Sequence, residues 1–244
     1  MTRFAFTLFA SAMSLAVPAA MAETLMFTNS NLVSLPSTQV IGAGGSACVN
    51  PFGNVAGTCG AALTFGTSAG TLRVTAADGP DVDTAALVFQ GNSNAGLGVV
   101  EGYYKSGQFK VTDGNFSLDT DKETLTLTFG SAVKLTQAYF FADDRTNTLR
   151  ELDSIDGFTV SVNGGAFQEF SFGTNGGLPV TLGGGLVGTS FTFGYAKFKS
   201  KEDYYLAGIG FTALTPAIPE PSTYALMALG LVGVAAAARR ARRA

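Results

Sequence analysis

Thr124-Leu125-Thr126-Leu127-Thr128-Phe129 alternates polar and apolar residues without a fault. A period of two confines this stretch to a strand with Leu125, Leu127 and Phe129 on one face. Phe158, Val160 and Val162 alternate in the same way with Thr159 and Ser161, and Asn163-Gly164-Gly165 follows. Asn-Gly accepts the positive φ of a hairpin turn, so Gly157–Val162 is expected to pair with Ala166–Phe172. Further strands are expected at Thr24–Thr28, Ala61–Thr67, Thr71–Ala76, Ala85–Gln90, Gly98–Tyr103, Lys134–Ala142, Ser190–Tyr195 and Tyr204–Ala213. No amphipathic 3.6-residue pattern of ordinary helix length separates them, and residues 143–156 read as a long loop. Many short strands with glycine-rich turns and no intervening helices predict an all-β fold, an antiparallel β-sandwich of jelly-roll type. Of the 20 Phe in the chain, those of the central region are expected to fill the space between the two sheets.

Composition narrows the chemistry. The 244 residues include no His and no Trp, and two Cys. Absent His removes Ser-His-Asp and Cys-His mechanisms and any imidazole metal site. Two Cys are too few for a cysteine-only zinc centre. Cys48 and Cys59, in the Gly/Ala/Asn-rich stretch Gly42–Gly60, are expected to form a disulfide that pins a loop poor in apolar residues.

The two ends read as addresses. Arg3, then the uncharged run Phe4–Val17, then Ala20-Met21-Ala22 make a secretory signal over residues 1–22. The expected cut by signal peptidase, after Sec-dependent export, falls between Ala22 and Glu23. At the other end Pro219-Glu220-Pro221 precedes an uncharged run over residues 224–238, which is closed by the basic tail 239–244 with four arginines. Fifteen helical residues cover about 22 Å, a short transmembrane helix assisted by snorkelling arginines. The arginines stay cytoplasmic, so the domain faces outward. Between Glu23 and Pro219 lie ten basic and seventeen acidic residues, net −7. An acidic exported domain repels nucleic acid, which is not an expected partner.

The order of tripeptide, apolar segment and basic tail, behind an N-terminal signal, resembles the PEP-CTERM sorting signal. The resemblance covers residues 217–244 and has Pro219, Glu220 and Pro221 as its signature. It implies recognition by exosortase, with the domain of residues 23–216 first anchored in the inner membrane facing the periplasm. Processing would then deliver it to the cell surface or the extracellular matrix. It further implies a place in exopolysaccharide or biofilm. Gly96-Leu97-Gly98-Val99, the acidic stretch Asp119–Asp121 and the strand Glu123–Phe129 are similar to segments of other PEP-CTERM β-sandwich domains.

Three groups of residues are candidates for chemistry in the domain. Asp119, Asp121 and Glu123 alternate, and hard oxygen ligands at that spacing suit Ca2+, although the match to an EF-hand loop is poor. Tyr103-Tyr104 and Tyr204-Tyr205 are candidate ligand platforms, because adjacent strand residues face opposite sides and one of each pair is expected at the surface. Asp143, Asp144, Glu151, Asp153 and Asp156 offer carboxylates for a glycosidase pair. The leading expectation is a structural or adhesive matrix protein without catalytic activity. A carbohydrate-binding module with one groove is second, and a carboxylate glycoside hydrolase third.

Overall fold

The computed structural model describes residues 22–28, 40–49, 55–78, 85–91, 96–105, 108–111, 116–118, 123–142, 157–172, 179–196, 203–214, 229–232 and 239. Among the described residues thirteen strands run in chain order. They are β1 (Ala22–Met26), β2 (Ser46–Val49), β3 (Val55–Gly60), β4 (Leu63–Thr67), β5 (Gly70–Asp78), β6 (Ala85–Gly91) and β7 (Leu97–Lys105). The rest are β8 (Gln108–Val111), β9 (Glu123–Ala142), β10 (Gly157–Val162), β11 (Gln168–Ser171), β12 (Val180–Tyr195) and β13 (Tyr204–Ala213). Every pairing among them is antiparallel.

One sheet makes both layers of a sandwich-like fold because β9 and β12 each serve in both. The order β11-β10-β12-β9-β13-β7-β6-β3-β2 carries β1 on β13, β5 on β9, β4 on β5 and β8 on β7. The first part of β9 lies between β5 and the end of β12, with Leu127 opposite both Val74 and Phe191. The second part lies between β13 and the start of β12, with Ala138 opposite both Ile209 and Val180. An extended strand of 20 residues would reach about 66 Å. Instead Ala142 pairs with Tyr204 at one end of β9, and Glu123 at the other lies close enough to act electrostatically on the same tyrosine. The strand therefore folds back at Gly130-Ser131-Ala132, and Ser131 Oγ ties that corner to Ala69 O at 2.9 Å.

Register shifts mark where β12 bends. Thr181 pairs with Gln137 but Leu186 with Leu135, so three extra residues bow out of β12. Gly183, Gly184 and Gly185 all take positive φ there, a conformation glycine adopts without steric cost. At the second bend Asn163 (φ 51°) accepts hydrogen bonds at its Oδ1 from the backbone N–H groups of Thr189 and Ser190, each 3.0 Å.

Alternation fills the space between the layers. Leu72, Val74, Leu125, Leu127, Phe129, Phe158, Phe191 and Phe193 of one layer meet Leu97, Val99, Phe140, Leu206, Ile209 and Phe211 of the other. Phe129–Phe211 (5.0 Å) and Phe140–Phe158 (4.3 Å) contacts cross between them. The expected role of phenylalanine as core filler is what the structure shows. A second buried cluster lies on the other face of the β13-side layer, where Phe116 stacks on Phe89 at 4.7 Å beside Tyr205, Phe141 and Val100. Gly98 permits this cover: a Cβ there would lie 1.8 Å from Phe116 O.

Several expected boundaries move. The runs expected as separate strands at Thr124–Phe129 and Lys134–Ala142 are one strand, and Ser190–Tyr195 is only the end of β12. The stretch around the two cysteines, read as a loop, holds β2 and β3, and the disulfide Cys48–Cys59 (Cα–Cα 5.2 Å) lies buried in the second cluster.

Candidate functional site

The described residues next to the two terminal signals lie at one end of the sandwich. Ala22 opens β1 and pairs with Thr212 near the end of β13. Glu23 accepts hydrogen bonds at Oε2 from the N–H of Ser68, at 2.8 Å, and from its hydroxyl. The bond expected to be cut, between Ala22 and Glu23, thus belongs to a paired strand. Ala20 and the rest of the expected signal lie outside the described residues. At the C-terminal side β13 ends at Ala213, and the Leu214 N–H donates to Ala132 O at 3.0 Å. Pro219, Glu220 and Pro221 lie outside the described residues. Beyond them Leu229–Val232 form a helical turn whose Leu229, Leu231 and Val232 are 67%, 62% and 66% exposed. Those side chains do not join the core of the sandwich. Among the described residues no helix is long and apolar enough to cross a membrane.

At the opposite end lies a buried polar group that the sequence did not announce. Tyr204 is fully buried and donates its hydroxyl to Gly194 O at 3.0 Å. Tyr195 donates to Asp203 Oδ1 at 2.8 Å, and the Thr159 hydroxyl to Tyr195 O at 3.0 Å. Glu123 is fully buried. Burial, and then the negative charge of Glu123, push the Tyr204 phenol far above its ordinary range. A phenol held protonated in this way is neither base nor nucleophile; it is a hydrogen-bond donor that fixes the end of β12.

This placement corrects the platform expectation for one tyrosine pair. Tyr204 and Tyr205 are both buried, because β13 is covered on both faces: Tyr204 enters the main core and Tyr205 the second cluster. The rule that one of two neighbours reaches solvent holds for a sheet with one wet face, and this strand has none. Tyr103 and Tyr104 sit in β7 opposite Lys110 and Phe109 of β8. Of the candidate calcium ligands, Glu123 is buried, while Asp119 and Asp121 lie outside the described residues. Among the described residues no group of three or more His, Cys, Asp or Glu is placed to hold a metal. Asp143, Asp144, Glu151, Asp153 and Asp156 lie outside the described residues.

Sequence reading also missed Gln90. Its buried side chain accepts from the Gly42 N–H (2.8 Å) and donates to Phe27 O (3.1 Å) and Val40 O (2.7 Å). One glutamine in a strand of otherwise apolar character was the only available signal.

Residues 217–243 match the family model of the PEP-CTERM protein-sorting motif. No curated protein and no solved structure matches the chain. The chain therefore carries the PEP-CTERM motif of an exported protein sorted by exosortase, with processing associated with the membrane.

Proposed function

We propose that the domain of residues 23–216 is a structural or adhesive component of extracellular polysaccharide, without catalytic activity, delivered by its C-terminal sorting segment. The observation that carries this reading is the exposed apolar turn Leu229–Val232 inside the matched motif. A segment with that much apolar surface and no place in the sandwich core suits a membrane handle rather than a docking helix. The other described residues form mainly a sheet folded over a phenylalanine-rich core, a body suited to bearing load.

Contact with polysaccharide is assigned to the end that carries Tyr204. Residues 119–122, 143–156 and 197–202 are each bracketed by described residues around it. Leu118 bridges to Tyr204, Ala142 pairs with it, Tyr195 stands 6.1 Å away ring to ring, and Asp203 precedes it. These three segments carry three, seven and four charged residues respectively. Three charged segments flanked by described residues near Tyr204 favour many weak contacts over a single groove.

Replacing Pro219, Glu220 and Pro221 by alanine together tests the delivery. Export is expected to continue while full-length protein accumulates in the membrane fraction; equal processing of variant and wild type removes the sorting step. Purified domain is expected to co-sediment with extracellular polysaccharide of the producing cells in a salt-dependent manner. Release of reducing sugar from that polysaccharide would overturn the non-catalytic reading.

A further inference from the structure

The strand register sets both chain exits side by side. Ala22 pairs with Thr212, Thr212 with Lys134, and Lys134 with Val187, a row running straight across β1, β13, β9 and β12. At about 4.8 Å per strand the row spans about 14 Å. Gly188, next to Val187, abuts Val162 and Asn163, so the β10–β11 turn and Phe167 beyond it close the same end. From Leu214, held to Ala132, residue 224 is ten residues on, at most about 36 Å of extended chain. A membrane-held handle is therefore attached at this end, and not at the Tyr204 end.

The chemistry of this end suits that position. Residues 66–70, 129–135, 162–167, 182–190 and 211–214 contain one charged residue, Lys134. Its stem lies against Gly185. Glu23, at the start of β1, is engaged by Ser68. Phe167 is 53% and Val187 56% exposed. A domain of net charge −7 is repelled by an anionic bilayer except where its own charge is absent.

We propose that this end is a bilayer-resting face: before processing, Phe167 and Val187 enter the interfacial layer of the membrane and Lys134 meets lipid phosphate. The face orients the domain with the Tyr204 end pointing away from the cell. This rests on the reading that residues 224–238 lie in the membrane.

The chain has no Trp, so Phe167→Trp and Val187→Trp each introduce a single reporter at an exposed position. Phe172→Trp, whose ring neighbours Tyr204, reports the other end. Full-length variants are reconstituted with phosphatidylethanolamine–phosphatidylglycerol vesicles and separated by flotation. Vesicles carrying bromine on the acyl chains near the headgroup are expected to quench the 167 and 187 reporters at least about twofold and to leave the 172 reporter unchanged. Chains that float but show no quenching at 167 and 187 overturn the resting face while leaving the anchor standing. Equal quenching at all three positions overturns the orientation. Shielding of 167 and 187 that arises only with exosortase present assigns the face to the enzyme and overturns the lipid proposal. Chains that do not float remove the anchor, and the face with it.

Discussion

Tyr204 shows how a single buried side chain couples stability to pH. Its folded-state pKa lies above that of the unfolded chain, so its contribution is complete below about pH 10. As pH rises beyond that, the unfolded chain ionises here and the folded one does not, and stability falls by about 1.4 kcal/mol per pH unit from this residue. Tyr204→Phe is expected to cost about 1 kcal/mol at neutral pH, through the lost bond to Gly194 O, and to flatten the alkaline slope. Urea denaturation between pH 7 and pH 11 on both proteins checks this; parallel slopes contradict it. Gln90 sets a different constraint, because its amide serves three backbone groups from distant parts of the chain. Gln90→Leu keeps the volume and removes those bonds, with an expected loss of at least about 2 kcal/mol by the same measurement. Neither role can be read locally: a tyrosine or a glutamine in an apolar run looks alike whether its partner waits 10 residues away, as for Tyr204, or 48, as for Gln90.

Elements in this fold are decided by what the backbone can approach. At Gly98 an added Cβ would collide with Phe116 O, whereas at Gly66 nothing lies within 4 Å. Gly98→Ala is therefore expected to displace Phe116 and destabilise by about 3 kcal/mol or more, while Gly66→Ala leaves the thermal melt within about 2 °C. The hairpin of β2 and β3 at the end of the sheet order has a different support, its disulfide. Reduction is expected to cost about 3 kcal/mol in the chain-entropy treatment of a loop with a sequence separation of 11. Denaturation midpoints with and without dithiothreitol measure it, and coincident curves would deny the disulfide any stabilising role. The strand pattern at Thr124–Phe129 was legible because every second residue enters the core. The strands at Ser46–Val49 and Val55–Gly60 were not, since small residues and cysteines give no period.

For the whole molecule, the N-terminal strand and the C-terminal segment have opposite weights. β1 fills a place beside β13, with Ala22 through Met26 paired to residues 208–212, and Met26 and Leu25 enter the two buried clusters. The handle has its described apolar side chains exposed. A chain ending at Ile218 is expected to melt within about 2 °C of the full-length protein. A chain beginning at Phe27 is expected to melt far lower or to aggregate through the uncovered edge of β13. Calorimetry on the two truncations decides between these weights, and a stable chain without β1 would contradict the role given to it. Processing at either end then has different consequences: loss of the handle, or a cut between Ala22 and Glu23, leaves the body intact, whereas removal of the whole of β1 would open it.

The sequence by itself determined the class of fold and the sorting motif, because both are written in local order. Period-two alternation forces strands, and the sorting motif of residues 217–243 is recognised through the succession of tripeptide, apolar run and arginines. Tertiary structure decided that β9 and β12 fold back to serve two layers and that Tyr204 and Tyr205 are buried together. It also decided that the two exits share a hydrogen-bonded row. Those depend on which strands meet, and strand pairing is fixed by contacts between residues far apart in the chain, which no local pattern records.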